Sequence, residues 1–298
     1  MTKVAIILVN WNGSKDTLSC LASLGKLKVK SLKLKVIVVD NGSTDGSVGI
    51  IRKNFPGVEV IETGKNLGFA GGNNAGIHKA LDDGADVVWL LNNDTIVEKN
   101  AVSALLDACK EGHVGIAGSK IYFTAGREYH KGRYQENDRG RVIWYAGGYI
   151  DWNNIYASHR GVDEVDHGQY DMAGVTEFVT GCSMMITRQV FEKIGFFDEK
   201  FFVYLEDVDF CLRAKRSGYA LMYVPQSMLW HHNAGSSGVG SLTHQYYMTR
   251  NRLLIGMRYA ELRTKFALIR EALRFVLVGP SIYRKAVIDA MMGKWGKA

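Results

Sequence analysis

The stretch VVWLLNNDTIV, residues 87–97, opens as an apolar, β-branched run and stops in two carboxamides, a carboxylate and a hydroxyl. Val87 to Leu91 read as a strand buried on both faces, the kind found in a parallel sheet covered by helices. The same rhythm surrounds it. Val4 to Val9, Val36 to Val39 and Val58 to Ile61 are further short runs. Helical stretches are expected after Asn12-Gly13-Ser14, after Ser43-Thr44-Asp45, over 70–83 and over 99–110. Strands alternating with crossover helices predict an α/β fold with a mostly parallel, three-layer sheet. Ligands of such sheets gather beyond the carboxyl ends of the strands. Three of those ends are polar here: Asn10-Trp11-Asn12-Gly13, Asp40-Asn41-Gly42-Ser43 and Asn92-Asn93-Asp94. Any one is as readily an ordinary turn; three on one sheet edge favour a cleft.

The 298 residues suffice for one large α/β domain or two smaller ones. A hydrophobic content of 47% with 22% charged residues excludes pervasive disorder. A net charge of +7 points to an anionic partner, whether nucleic acid, membrane surface or phosphorylated ligand, without choosing among them. Cys20, Cys109, Cys182 and Cys211 are far apart and show no CxxC spacing, so they read as reduced core residues rather than a zinc site. The apolar run near the N-terminus is too short for a signal peptide or a membrane span, and a cytoplasmic protein is expected.

From about Gly126 to Asp171 the sequence turns rich in Gly, Tyr, Trp and charge, as expected of a wall or lid over the sheet. Regular structure resumes over 177–186, with helices over 187–194 and after Glu206, and a strand from Leu221 to Val224. From about Ser241 the chain is helical and basic, broken at Gly279-Pro280. Between Glu261 and Ala298 eight Lys or Arg face three acids, interleaved with Leu, Ile, Phe, Val and Met. Such a segment suits an anionic membrane surface, and equally a docking helix with a solvated basic face.

Four stretches can carry chemistry. Asp94 at its strand tip suits a divalent cation that leaves positions for phosphate oxygens, or else caps the next helix. In KNLGFAGGNNAG, residues 65–76, the glycines allow close backbone approach, but the spacing is neither GxGxxG nor a P-loop. In FFVYLEDVDFCLRAKRSG, residues 201–218, Glu206, Asp207 and Asp209 crowd a helix start. They complement its dipole, or push one another's pKa values apart as a general base requires. In VPQSMLWHHNAGSSG, one of His231 and His232 can serve a metal while the other points elsewhere.

Taken in order, VAIILVNWNG, VIVVDNGSTDGS, KNLGFAGGNNAG, LLNNDT, the long FVTGCSMMITRQVFEKIGFFDEKFFVYLEDVDFCLRAKRSGY and WHHNAGSS resemble the family-two inverting glycosyltransferases. The rhamnosyltransferase-like subgroup of bacterial polysaccharide assembly is the most similar, over about residues 3–255. The resemblance implies a GT-A fold. Its mixed sheet has a Rossmann-like nucleotide half (1–120) joined to an acceptor half (121–240), and residues 241–298 form a helical basic extension. It implies that Val9, Asn10 and Asn12 border the nucleotide base, that Asp40 bonds base or ribose, and that Asn66, Gly68 and Asn73 form the loop and helix over the nucleotide. Asn93 and Asp94 fall on the family's Asp-x-Asp position, with Asn93 toward the ribose and Asp94 a ligand of Mg²⁺ or Mn²⁺. Asn92 stands where the first acid is usual. His231 matches a metal-binding histidine of some relatives. Thr180, Gly181 and Trp230 match positions around the donor and acceptor sugars, and Glu206 and Asp207 match the paired acids, Asp207 as base. Donors would be dTDP- or UDP-linked hexoses such as rhamnose. Acceptors would be saccharides or lipid-linked glycans, met in the cytoplasm or on the inner membrane face.

Two other classes compete. A sugar-phosphate nucleotidyltransferase would open with a glycine- and arginine-rich loop, whereas the loop Val9-Asn10-Trp11-Asn12-Gly13 has no arginine and one glycine. A non-catalytic scaffold or nucleic-acid binder would interleave its basic residues with aromatics along one stripe. Here they gather in the tail while acids occupy the cleft motifs, so no nucleic-acid partner is expected. Homo-oligomerisation and the identity of the sugar are not fixed by sequence.

Overall fold

The computed structural model describes residues 1–28, 32–130, 132–232 and 240–298. Residues 233–239, the Gly/Ser part of the WHHNAGSSG motif, lie outside the described residues. The first third alternates strictly: β1 (Thr2–Asn10), α1 (Ser14–Leu24), β2 (Leu32–Asp40), α2 (Ser47–Asn54), β3 (Glu59–Glu62), α3 (Gly68–Asp82) and β4 (Val87–Asn92). Then come β5 (Thr95–Val97), α4 (Ala101–Cys109) and β6 (Val114–Phe123). The irregular excursion carries β7 (Ile143–Tyr145), β8 (Gly148–Asp151), β9 (Tyr156–His159) and β10 (Gly174–Val175). Next come β11 (Ser183–Thr187), α5 (Arg188–Ile194), α6 (Glu206–Arg216) and β12 (Ala220–His231). Helices α7 (Leu242–Tyr259), α8 (Leu262–Val278) and α9 (Ser281–Met291) close the chain.

The main sheet runs β10-β12-β6-β11-β4-β1-β2-β3, with β5 on β12 and β7 on β6. Strands β3, β2, β1 and β4 are mutually parallel, and β11 enters antiparallel between β4 and β6, which makes the sheet mixed. The register sets Asn10 opposite Asp40 and Val9 opposite Asn92, so the three polar strand ends share one edge. Ile6, Ile7, Leu8, Val38, Val39, Val88, Trp89 and Leu90 are all fully buried. Layers on both faces explain why these strands read as continuous rather than alternating apolar runs.

The glycines of residues 65–76 divide their work. A Cβ on Gly76 would meet Ile7 Cγ2 at 2.6 Å, and one on Gly72 would meet Val9 Cγ1 at 2.9 Å. Both let α3 lie directly on the sheet. Gly68 (φ +73°) instead admits the backbone of Phe202, whose carbonyl accepts from Phe69 N–H at 2.7 Å and Ala70 N–H at 3.2 Å. The first turn of α3 thus spends its free donors on protein.

Two expectations need amending. The strand expected at Leu221 to Val224 runs on to His231. Its pairing with β6 shifts between Val224 and Met228, because Pro225 has no N–H to give the ladder, and then resumes. Asp94 does not cap a helix: it sits in the turn into β5, and α4 begins later, after Asn100. Among the described residues no helix is long and apolar enough to cross a membrane.

Candidate active site

The polar ends of β1, β2 and β4 form one hydrogen-bonded series. Buried Asp40 accepts from Asn10 Nδ2 through Oδ2 at 2.9 Å and from Ser43 N–H through Oδ1 at 2.9 Å. Asn10 Oδ1 accepts from the Thr17 hydroxyl at 2.8 Å, and Thr17 Oγ1 accepts from Asn93 Nδ2 at 2.8 Å. Asn12, with φ 51°, donates its N–H to Ser43 Oγ at 2.9 Å and accepts from Thr44 N–H at 2.8 Å. Asn10, Asn12, Asp40 and Asn93 are therefore brought together, joined by Ser43 of the same polar strand end and by Thr17, which sequence reasoning missed. A hydroxyl on the first turn of a helix carries no distinguishing signal in a single sequence.

The 66–68 loop is pinned beside them. Asn66 Oδ1 accepts from Gly68 N–H at 2.8 Å, while Asn41 donates to the Gly68 carbonyl at 2.9 Å and accepts from Leu67 N–H at 2.9 Å. Asn41 was likewise not singled out. Asn73 does not join the edge by its amide, which donates to the Phe69 carbonyl one turn back in α3 at 2.9 Å.

Antiparallel pairing of β5 with β12 places His231 opposite Thr95, next to Asp94. His231 Nε2 lies 3.1 Å from Asp94 Oδ1, and the backbone N–H of His232 donates to the Asp94 carbonyl at 2.8 Å. The His232 ring turns away to Asp16 at 3.3 Å. Buried His231 packs edge-on against Trp144, and its Nδ1 has no hydrogen-bond partner among the described residues. Ligands at about 2.1 Å on adjacent octahedral positions lie about 3 Å apart. The Asp94–His231 spacing fits a shared Mg²⁺ or Mn²⁺ by that measure. Among the described residues no group of three or more His, Cys, Asp or Glu side chains gathers that could hold a metal ion by itself. Trp230, next to His231, points to the other face of its strand. It donates its indole N–H to the Gly140 carbonyl at 2.9 Å and stacks on Tyr122.

Across the same edge stand the paired acids. Asp207 Oδ2 accepts from Gly181 N–H at 2.9 Å and Oδ1 from Val208 N–H at 2.8 Å. Thr180 shapes the turn that presents Gly181, its carbonyl accepting from Ser183 N–H at 3.2 Å. A Cβ on Gly181 would strike the Phe69 ring at 2.7 Å. Glu206 is buried, and its Oε2 has no partner among the described residues. Burial, and then the neighbouring charge of Asp207, holds the Glu206 carboxyl well above the ordinary glutamate range. Burial also raises Asp207, but its backbone donors oppose the shift. Both carboxyls are thus held above their ordinary range, Glu206 the further, and Asp207 is the one with backbone donors on both oxygens. The third acid is structural: Asp209 is fully buried, bound by Arg213, Arg258 and Tyr259.

The two sides of the cleft are coupled through residues 181 and 182. Asn92 N–H donates to the Cys182 carbonyl at 2.9 Å. After burial, the charges of Asp94 and Asp207 both raise the Cys182 thiol.

The loop before α6 is strained, with Phe202, Tyr204 and Leu205 all at φ between 62° and 67°. Helix α7 holds it. Fully buried Asn251 donates to the carbonyls of Phe201 (2.9 Å), Val203 (2.8 Å) and Tyr204 (2.8 Å). Fully buried Arg250 donates to those of Lys200 (3.0 Å), Phe201 (3.1 Å) and Gly296 (2.7 Å). Neither residue could be found from sequence, since each recognises backbone about 50 positions away.

A Rossmann-like edge facing an acidic pair across one mixed sheet defines the class: a GT-A fold of the nucleotide-sugar transferases. Residues 5–195 match the family model for Glycosyl transferase family 2, and the chain belongs to that family. It is 29% identical over 224 residues to an N-acetylglucosaminyl-diphospho-decaprenol L-rhamnosyltransferase of Mycobacterium tuberculosis, covering 71% of this chain and 70% of the relative. It is 23% identical over 262 residues to the dTDP-rhamnosyl transferase RfbF of Shigella flexneri, covering 85% and 80%. Among solved structures it is similar to GalNAc-T7 with UDP, GalNAc and Mn²⁺ (TM-score 0.68, 17% identity). That match covers 98% of this chain and spans 55% of the GalNAc-T7 chain. It is also similar to a mannosyltransferase from Pyrobaculum calidifontis in complex with GDP-Man and Mn²⁺ (TM-score 0.57, 14% identity), covering 97% and 74%.

Proposed function

We propose that the protein transfers a hexose, rhamnose first among the candidates, from a dTDP- or UDP-linked donor to a hydroxyl of a saccharide or lipid-linked acceptor, with inversion, in cell-surface polysaccharide synthesis. In this reading residues 1–120 hold the nucleotide, 121–240 the acceptor, and 241–298 form an extension working at the inner face of the membrane. The observation that carries it is Asp207, held by two backbone N–H groups beside buried Glu206, facing the sheet edge that bears Asp94 and His231. The names of the mycobacterial and Shigella relatives support rhamnose and a lipid diphosphate acceptor.

Asp207 accepts the proton of the acceptor hydroxyl as its oxygen forms a bond to the anomeric carbon. The bond from that carbon to the diphosphate oxygen breaks, and the electron pair leaves on the diphosphate. A single displacement inverts the centre and needs no covalent sugar–enzyme intermediate. Raised by burial, Asp207 is a stronger base than a solvated aspartate. Asp94 and His231 would hold the divalent cation, which supplies positive charge to the leaving diphosphate. Asn10, Asp40 and Asn93 orient base and ribose.

The test is Asp207→Asn, assayed with dTDP-rhamnose and UDP-sugars and titrated separately with the nucleoside diphosphates. Transfer should vanish while nucleotide affinity stays within about threefold, because the base acts only in the transition state. Full turnover would remove Asp207 from the base role.

A further inference from the structure

Helix α8 carries an exposed apolar face. Leu262, Phe266, Ile269, Leu273 and Leu277 recur at i, i+4, i+7, i+11 and i+15, one stripe of a 3.6-residue helix. Their exposure runs from 42% at Ile269 to 76% at Leu277. The helix is docked by a different face. Leu268 and Ala272 are buried, and Leu268 sits over Gly256 of α7, where a Cβ would come within 2.1 Å of its Cδ1.

Beside the stripe runs a row of cations. Arg263, Arg270 and Arg274 recur at i, i+7 and i+11 on its edge, all exposed and without an ion pair among the described residues. Arg252 and Lys285 of the extension are instead matched within the chain, with Glu271 and Asp289. A cavity of about 540 Å³ opens on the arginine side, between α8 and the β8–β9 hairpin, lined by Asn153, Asn154, Tyr156, Arg252, Arg270 and Arg274 among others.

We infer that α8 lies in the plane of an anionic phospholipid bilayer, its Leu262–Leu277 stripe among the acyl chains and its arginine row on headgroup phosphates. The helix is 17 residues long, about 25 Å, and carries four Lys or Arg, so it lies in the interface rather than crossing. Charge selects this occupant over a second copy of the chain. Two α8 stripes face to face would set one arginine row against another, and the stripe has no acid to answer them. The acids of this segment are Glu261 at the helix entry and Glu271, which is already paired. The inference deepens the proposed reaction at a lipid-linked acceptor but stands on α8 alone.

The test is co-sedimentation of the full chain with vesicles of pure phosphatidylcholine and with vesicles roughly one-third phosphatidylglycerol. Alongside run Phe266→Glu/Leu273→Glu, Arg270→Gln/Arg274→Gln, and light scattering for oligomeric state. Wild type should bind the anionic vesicles, and each double variant should bind at least about tenfold more weakly with unchanged melting temperature. The arginine variant should also lose salt sensitivity. Binding unaffected by either pair overturns the inference. So does a wild-type dimer that Phe266→Glu/Leu273→Glu dissociates, which would make the second copy the occupant. Nucleotide binding and sugar transfer to a soluble acceptor, measured on the same variants, report separately on the glycosyltransferase reading.

Discussion

Asn251→Ala tests whether α7 holds the catalytic loop in its strained shape. Phe202, Tyr204 and Leu205 in the left-handed region each cost roughly 1–2 kcal/mol, about 3–6 kcal/mol in all. The Asn251 amide has two N–H donors, shared among three carbonyls of that loop, and at roughly 0.5–1.5 kcal/mol net per donor they contribute about 1–3 kcal/mol together. That offsets a large part of the strain, so without Asn251 the loop relaxes rather than persisting. Leu205 directly precedes Glu206, so relaxation displaces both acids. A shift near 1 Å lowers kcat by roughly a hundredfold. Nucleoside diphosphate affinity should change little, because the Asn10–Asp40–Asn93 series lies on other elements. Melting temperature should fall by about 4–8 °C. Asn251→Asp separates donors from shape, since it keeps the volume but turns carboxylate oxygens toward three carbonyls, and it should be at least as damaging as alanine. The assays are thermal unfolding, calorimetric nucleotide titration and steady-state transfer. An aspartate variant with wild-type kcat and melting temperature would refute the reasoning. Parallel loss of nucleotide affinity and kcat would show general unfolding instead.

Asp94→Ala should abolish the gain in nucleoside diphosphate affinity that Mn²⁺ gives, a loss of roughly 10–100-fold read by calorimetry; equal affinities with and without the ion in wild type would remove Asp94 from that role. Glu206 has a folded-state pKa above its unfolded value, so between the two the unfolded chain has released a proton the folded chain keeps. Stability is therefore greatest below that window and falls as pH rises through it. Glu206→Gln should flatten this dependence in melts between pH 5 and 8, and an unaltered slope would place its origin in another group. Gly181→Ala pushes a methyl group into the Phe69 ring and moves the N–H away from Asp207, so kcat should drop about tenfold or more. Unchanged kcat would mean that this donor does not hold the base.

What the sequence showed and what it hid have physical causes. The alternating runs of the first third are local patterns, and the fold followed from them. The three polar strand ends were visible because a parallel sheet collects carboxyl ends on one edge. Pairing across the chain was not visible. His231 reaches Asp94 only because β12 continues past Pro225 and pairs with β5, a register no local pattern encodes. Asp209 looks like Glu206 and Asp207 in sequence. Helical rotation turns it inward to Arg213 and Arg258, and tertiary packing alone separates the three. Arg250 and Asn251 sit mid-helix among ordinary helix formers, and their partners are backbone carbonyls, which leave no trace in side-chain identity.

The series from Asp40 to Asn93 has a direction as well as a geometry. A carboxylate only accepts, so Asp40 fixes Asn10 with its NH₂ toward β2 and its carbonyl toward Thr17. The Thr17 proton then points to Asn10, its lone pair faces Asn93 Nδ2, and Asn93 ends the relay with its carbonyl oxygen outward. One buried negative charge thereby orients an amide three hydrogen bonds away. An asparagine at position 40 would fit the same space yet permit every link to reverse. The polarity of this edge, and not merely its shape, is written at the end of β2.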